Sequence, residues 1–318
     1  MSVRHRHSAL LALAIFASAF ALAWAQRAPS LQERLGYPAG ARLLIIHADD
    51  FGMAHSVNRA ISQALENGWV TSASVMVPTP WFPEVVSWAR LHPSADLGIH
   101  LVLDSEWSSF RWGPVAPVDK VASLLDSQGY FFDDPSLFTH VKMQDVETEL
   151  HAQIDKARAQ SLHISHLDSH MIALTQTRHL FAVYEGLGHN YNLPIALVKN
   201  DSPRMPEGLE PSPEALALDK VITMNPGVSK LDWVGWYERQ LSSLHPGIYQ
   251  LIVHLAYDDD EMRGATKNHP DWGAAWRQQD FEMIRSPEFR RFLRDQGFIL
   301  VNWGQLSERY RSRVQSHF

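Results

Sequence analysis

From residue 43 onward, short and nearly unbroken apolar runs alternate with stretches of helical spacing. Leu43-Leu44-Ile45-Ile46 opens the series as a run of the kind parallel strands show when both faces are covered. The pattern predicts a helix over Ser56 to Glu66 stopped by Asn67-Gly68, a strand over Val70 to Val77, a helix over Phe82 to Leu91 and a strand over Asp96 to Leu103. After a loop rich in Trp, Pro and Gly from about 104 to 135 come a helix over Asp145 to Gln160, a strand over His163 to Asp168 and a helix over His179 to Leu187. Strands over Leu193 to Val198 and Val221 to Met224, a helix over Trp233 to Leu244 and a strand over Ile248 to Leu255 follow, then a helix over Ser286 to Gln296 and a last strand over Phe298 to Trp303. Seven to eight βα units without an internal repeat predict an α/β fold, a single-domain deformed (β/α) barrel over 42–318. In such folds the chemistry lies at the C-terminal ends of strands.

Residues 26–41 read as a polar lead-in, and the chain before them differs in kind. Basic Arg4 and Arg6 precede an apolar, small-residue run from Ala9 to Trp24 and then Ala23-Trp24-Ala25. This order predicts a signal peptide over 1–25 with an A-x-A cleavage point, and so an exported protein, periplasmic or extracellular. The run falls short of the ~20 residues a spanning helix needs, so no membrane association is expected after cleavage.

Composition narrows the chemistry. With no cysteine in 318 residues, disulfides and thiolate metal sites are both excluded, and any metal must sit on His, Asp or Glu. A net charge of −7 argues against a nucleic-acid partner. Seventeen histidines and eleven tryptophans suit hydrolytic metal chemistry and a sugar-like ligand.

Four predicted strand ends carry ionisable side chains. The first reads His47-Ala48-Asp49-Asp50-Phe51-Gly52, two adjacent carboxylates directly after an apolar strand. They need a cation or hydrogen bonds to be tolerated there. Neighbouring side chains alternate faces in a strand, and Gly52 offers a turn that brings both to one centre. The third strand carries His100 within Gly98-Ile99-His100-Leu101. The fourth reads His166-Leu167-Asp168-Ser169-His170, and period-two alternation places His166, Asp168 and His170 on one face, a pattern that suits a metal ligand with an orienting carboxylate. The late strand ends in His254, followed by the acidic run Asp258-Asp259-Asp260-Glu261, whose default reading is a solvated loop. Among Trp107, Trp112, Trp233, Trp236 and Trp272, the pair in the long loop, Trp107 and Trp112, are the expected sugar-stacking residues.

Ala48-Asp49-Asp50-Phe51-Gly52 with Val57-Asn58, Gly98-Ile99-His100-Leu101 and His166-Leu167-Asp168-Ser169-His170 together resemble the YdjC-like carbohydrate deacetylases, the chitooligosaccharide deacetylase family, in order and spacing from about 43 to 303. The resemblance implies a deformed barrel, a divalent metal such as Mg²⁺ or Zn²⁺, and removal of an acetyl group from an N-acetylated sugar. By motif match it makes Asp50, His100 and His170 the metal ligands, Asp49 the catalytic base and His254 the acid, with His166 and Asp168 behind them. The chain departs from the pattern at Met171-Ile172-Ala173, where the family often continues with histidines, and at His254-Leu255, where it has His-Pro. Two other classes stay open: a non-haem metal oxygenase, which also uses two histidines and a carboxylate, and a secreted glycan-binding protein without turnover. The sequence leaves self-association into a homodimer open.

Overall fold

The computed structural model describes residues 28–133, 141–199, 208, 211 and 215–313. The expected signal peptide over 1–25 lies outside the described residues.

A short helix α1 (Leu31–Arg34), closed by a Ser30–Glu33 capping box, leads into β1 (Arg42–Phe51), which is buried from Leu43 onward. Then come α2 (His55–Glu66), β2 (Ser72–Val75), α3 (Phe82–Leu91), β3 (Leu97–Leu101), α4 (Met143–Ala159), β4 (Ile164–Ser169) and α5 (Arg178–Tyr191). The second half contains β5 (Leu197–Val198), β6 (Ala217–Leu218), β7 (Lys220–Ile222), α6 (Trp233–Ser242), β8 (Gly247–Val253), α7 (Asp260–Ala265), α8 (Ala274–Arg285), α9 (Pro287–Asp295), β9 (Phe298–Leu300) and α10 (Trp303–Arg313).

Seven strands form one parallel sheet in the order β4-β3-β2-β1-β8-β7, with β9 also on β1. One edge of β1 is shared, β9 pairing with Arg42 to Leu44 and β2 with His47 to Phe51, while β8 lies along the other. The α/β architecture expected from the sequence is present, and the deformation of the barrel can be located. Among the described residues β4 and β7 are not paired with each other; the separate β5-β6 pair lies between them, reached from β4 by a single parallel bridge, Leu167 to Ile195.

The sequence pattern missed the helices α1, α7, α8 and α10, of which α8 bears on the site. In α8, Arg277, Asp280, Phe281 and Ile284 follow i, i+3, i+4, i+7 spacing and are all buried, so the face that enters the core carries two charges. The acidic run after His254 works as capping groups rather than as a cation site. Glu261 accepts from the first amides of α2, His55 at 3.2 Å and Ser56 at 2.7 Å, and Asp259 caps α7 through the amide of Met262. In the long 104–133 loop two short 3₁₀ turns occur, at Val118–Lys120 and Ala122–Leu124.

Candidate active site

At its C-terminal end β1 loses register against β2 between Ala48 and Phe51, and Asp50 takes a left-handed φ of 72°. This bulge turns Asp50 onto the side that His47 and Asp49 already share by strand alternation. The reversal expected of Gly52 therefore begins at Asp50 itself. Gly52 follows at φ 108°, where a Cβ would come within 3.0 Å of the Met76 carbonyl, and its amide donates to Asn58 Oδ1 at 2.7 Å.

Asp49 and Asp50 have separate holders. Asp50 Oδ2 pairs with Arg277 Nη1 at 2.7 Å, both side chains almost wholly buried. Its Oδ1 lies 3.5 Å from His100 Nε2 and 3.8 Å from His170 Nε2. Asp49 Oδ1 instead lies 3.2 Å from His47 Nε2, and its Oδ2 3.9 Å from His254 Nε2. Behind them Asp168 joins the two arms, with Oδ1 2.7 Å from His100 Nδ1 and Oδ2 3.0 Å from His47 Nε2. Ser74 Oγ adds contacts to both of those nitrogens.

The imidazole tautomers follow from these partners. Nδ1 of His100 donates to Asp168 and Nδ1 of His170 to Asp104 Oδ1 at 3.2 Å, which leaves both Nε2 atoms facing Asp50, free to offer a lone pair to a cation that displaces a proton there. His166 shares the face with Asp168 and His170 as the alternation predicted, but lies deeper. Its ring stacks on Trp303 at 5.0 Å and occupies the space a Cβ on Gly98 would fill, 2.3 Å from His166 Cε1. The glycine of Gly98-Ile99-His100-Leu101 makes room for that ring.

Without a bound cation, the surrounding carboxylates favour charged imidazoles. Burial depresses the imidazole pKa values, yet the carboxylates outweigh it: Asp168 and Asp49 bring His47 up to about 9 and also raise His100, while Asp104 and Glu106 raise His170 well above its usual value. Burial would raise Asp50, but Arg277 first and then His254, His170 and His100 hold it below the usual carboxylate range. His254 goes the other way, lowered to about 4 by burial, with Arg277 and His100 adding to the effect against Asp50 and Asp49. It is therefore neutral at pH 7, whereas residue type alone gave it a titration near neutrality.

Four overlapping His/Asp/Glu groups in the described residues have ligand atoms within 4.8 Å of one another. In the group of Asp50, His100 and His170, both imidazoles are oriented from behind through Nδ1 and turn their Nε2 atoms toward Asp50, where a bound cation would take the place of a ring proton. The other groups draw on nitrogens or carboxylates already engaged in these orienting contacts. Two imidazoles and one carboxylate form a donor set that a divalent cation accepts, with coordination positions left over.

These groups floor a cavity of about 500 Å³ whose walls include Trp107, Met171, Ile172 and Trp272. Trp107 lines it at 2% exposure, edge-on to His269 at 5.0 Å. Trp112 does not line it, and its expected role as a stacking platform has no geometric basis here. It packs behind His170, 2% exposed, with its indole N–H donating to the Asp104 carbonyl at 2.8 Å. Met171 and Ile172 both adopt left-handed φ, 48° and 52°, immediately after His170. Such backbone is costly for a β-branched residue. Where the sequence departs from the pattern it resembles, the chain thus presents an apolar rim instead of further imidazoles.

Sequence reasoning missed His47, Asp104, Glu106, Arg277 and Asp280. Asp280 is fully buried, accepts from Trp233 Nε1, Tyr237 OH and the His254 amide, and is raised to about 6 by burial. The signal for the last two was present in the helical spacing of charges within α8.

Parallel βα units that deliver a carboxylate–imidazole centre from several strand ends define a class of α/β metal-site proteins. Within it, the chain belongs to the YdjC-like protein family, whose model matches residues 43–295. It is 34% identical over 293 residues to the carbohydrate deacetylase of Thermus thermophilus, covering 87% of this chain and 98% of that protein. To the carbohydrate deacetylase of Thermoanaerobacter pseudethanolicus it is 29% identical over 269 residues, covering 83% and 99%. Its fold matches a solved Enterococcus faecalis structure with a TM-score of 0.71 at 24% identity, over 84% of this chain and 99% of that one.

Proposed function

We propose that the protein removes an acetyl group from an N-acetylated sugar or oligosaccharide, with Asp50, His100 and His170 as metal ligands, Asp49 as base and His254 as acid. The observation that carries this reading is the separate suspension of the two carboxylates: Asp50 faces two oriented imidazole Nε2 atoms, while Asp49 is held by His47 and stays available for a proton. A bound divalent ion, Mg²⁺ or Zn²⁺, would polarise the acetyl carbonyl and acidify water. Asp49 accepts the proton as water adds to the carbonyl carbon. His254, neutral at the start, acquires a proton before donating to the amine nitrogen, and Asp49 Oδ2 at 3.9 Å is its nearest source. The C–N bond then breaks to give acetate and the protonated amine. Trp107 and the apolar rim at Met171 and Ile172 bound the space for the sugar.

The test is acetate release from a panel of N-acetyl and O-acetyl sugars, by metal-stripped protein reloaded with Mg²⁺ or Zn²⁺, without oxygen. Metal-dependent release from an N-acetyl sugar is expected. Metal-loaded protein that releases no acetate from any of them would overturn the reading, and turnover that needs oxygen would favour the oxygenase. We also propose that the chain is exported, on the strength of its basic, apolar and A-x-A leader. The exported protein then begins at Gln26 by N-terminal sequencing.

A further inference from the structure

After β3 the chain continues as Val102-Leu103-Asp104-Ser105-Glu106, tied down locally. Asp104 forms a parallel bridge with Phe132, the Ser105 amide donates to the Phe132 carbonyl at 2.8 Å, and Ser105 Oγ accepts from the Trp112 amide at 3.0 Å. Extended backbone places side chains two apart on one side, and Asp104 and Glu106 both meet His170. Asp104 Oδ1 takes Nδ1 at 3.2 Å, whereas Glu106 Oε1 lies 3.6 Å from Nε2.

The second contact is not a hydrogen bond. Nε2 of His170 faces Glu106 Oε1 at 3.6 Å and Asp50 Oδ1 at 3.8 Å, so two carboxylate oxygens converge on the ring edge that would turn a lone pair to a metal. Three such atoms around one small volume repel unless a proton or a metal cation lies among them. Glu106 Oε2 is buried and hydrogen-bonds to nothing in the described residues, so that oxygen has no protein donor. Charge balance adds a reason. Arg277 neutralises much of Asp50, and two imidazoles contribute none, so Asp50, His100 and His170 alone present little net negative charge to a dication.

We propose that Glu106 supplies a second carboxylate to the divalent-metal centre, beside Asp50, His100 and His170. This rests on the reading that those three residues hold the metal. Glu106 then sets affinity by charge, while Asp104 sets the orientation of His170.

The test is Co²⁺ binding to the metal-stripped full chain, followed by calorimetry and by the visible absorption of the bound ion. Glu106→Gln keeps the shape and is expected to weaken Co²⁺ binding by about 100-fold, the upper end of the ~10–100-fold that loss of a supporting contact costs, and to change the visible spectrum. Glu106→Asp, which keeps the charge on a shorter arm, should fall between the two in affinity and also shift the spectrum. Binding within about threefold of the parent for both variants, with the parent spectrum, overturns the proposal, since that is well below the ~10-fold floor of such losses. His100→Ala separates the two levels of the argument. A parent chain that binds no Co²⁺, or a His100→Ala chain that binds as the parent does, removes the metal reading itself. Binding lost in His100→Ala but intact in both Glu106 variants removes only Glu106.

Discussion

Replacing Arg277 by Met should make the metal-free protein less stable and its metal binding tighter. The guanidinium and the Asp50 carboxylate are 2% and 3% exposed and 2.7 Å apart. Removing one partner of such a pair leaves a bare buried charge, at a cost of about 3–5 kcal/mol. In a chain of this size each kcal/mol moves the melting temperature by roughly 2 °C, so the metal-free variant should melt about 6–10 °C below the parent. A divalent ion on Asp50 replaces the missing positive charge. If about half of the loss is recovered in the metal-bound form, the cycle requires affinity to rise about 10- to 60-fold, since 1.4 kcal/mol is one decade. Thermal melts with and without Co²⁺, alongside calorimetric titration, measure both sides of the cycle. A metal-free variant that melts with the parent refutes the charge argument. So does a folded variant that binds Co²⁺ more weakly, because Arg277 would then be helping the metal rather than competing with it.

Asp49→Asn should keep Co²⁺ affinity near that of the parent while acetate release falls by roughly 10²–10⁴, the usual worth of a positioned base; retained activity with bound metal removes Asp49 from that role. Gly98→Ala drives a Cβ to 2.3 Å from His166, a ring held against Trp303, and should cost about 1–3 kcal/mol in urea denaturation. Adding His166→Ala should recover part of that loss, and a double variant no better than the sum of two losses argues against the clash. Asp280 has a folded pKa of about 6 against a reference of 3.8, raised by burial. Its folded form binds the proton more tightly, so its contribution to stability is present below the unfolded pKa and is lost as pH rises from about 4 through 6, by about 3 kcal/mol at 1.36 kcal/mol per unit. The stability gap between the parent and Asp280→Asn should shrink by that amount over this window, and a gap independent of pH contradicts the shift.

Most strands were legible because β1, β3, β4 and β8 are short apolar runs that end in a polar side chain, a pattern fixed locally by burial on both faces. The Asp49-Asp50, His100 and His166-Asp168-His170 clusters could be read for the same reason, since each interrupts an apolar run at its end. What stayed hidden depends on contacts far apart in sequence. Arg277 meets Asp50 across 227 positions, and α8 was lost because its buried face carries Arg277 and Asp280, which make the segment look polar. His47 precedes the Asp pair and reads as strand until Asp168 is placed beside it. Asp104 and Glu106 lie in a loop whose path is set by Phe132 and Trp112. Trp112 was misread because aromatic content in a long loop says nothing about which faces are covered.

The site also explains how two consecutive carboxylates take different work. In an unbroken strand they would point to opposite faces, and without a bulge the second would enter the core unpaired. The left-handed turn at Asp50 puts both in one cavity, and the chain then distinguishes them by their neighbours. Asp50 receives an arginine, which holds it ionised and aims its other oxygen at His100 and His170. Asp49 receives a histidine that is itself fixed by Asp168, and Asp168 also orients His100. One buried carboxylate therefore sets the position of Asp49, the proposed base, and the tautomer of His100, a proposed ligand, at once, so a displacement of β4 moves both. That coupling, more than the identity of the Asp-Asp pair, fixes the distance between the proton acceptor and the place where a cation would lie.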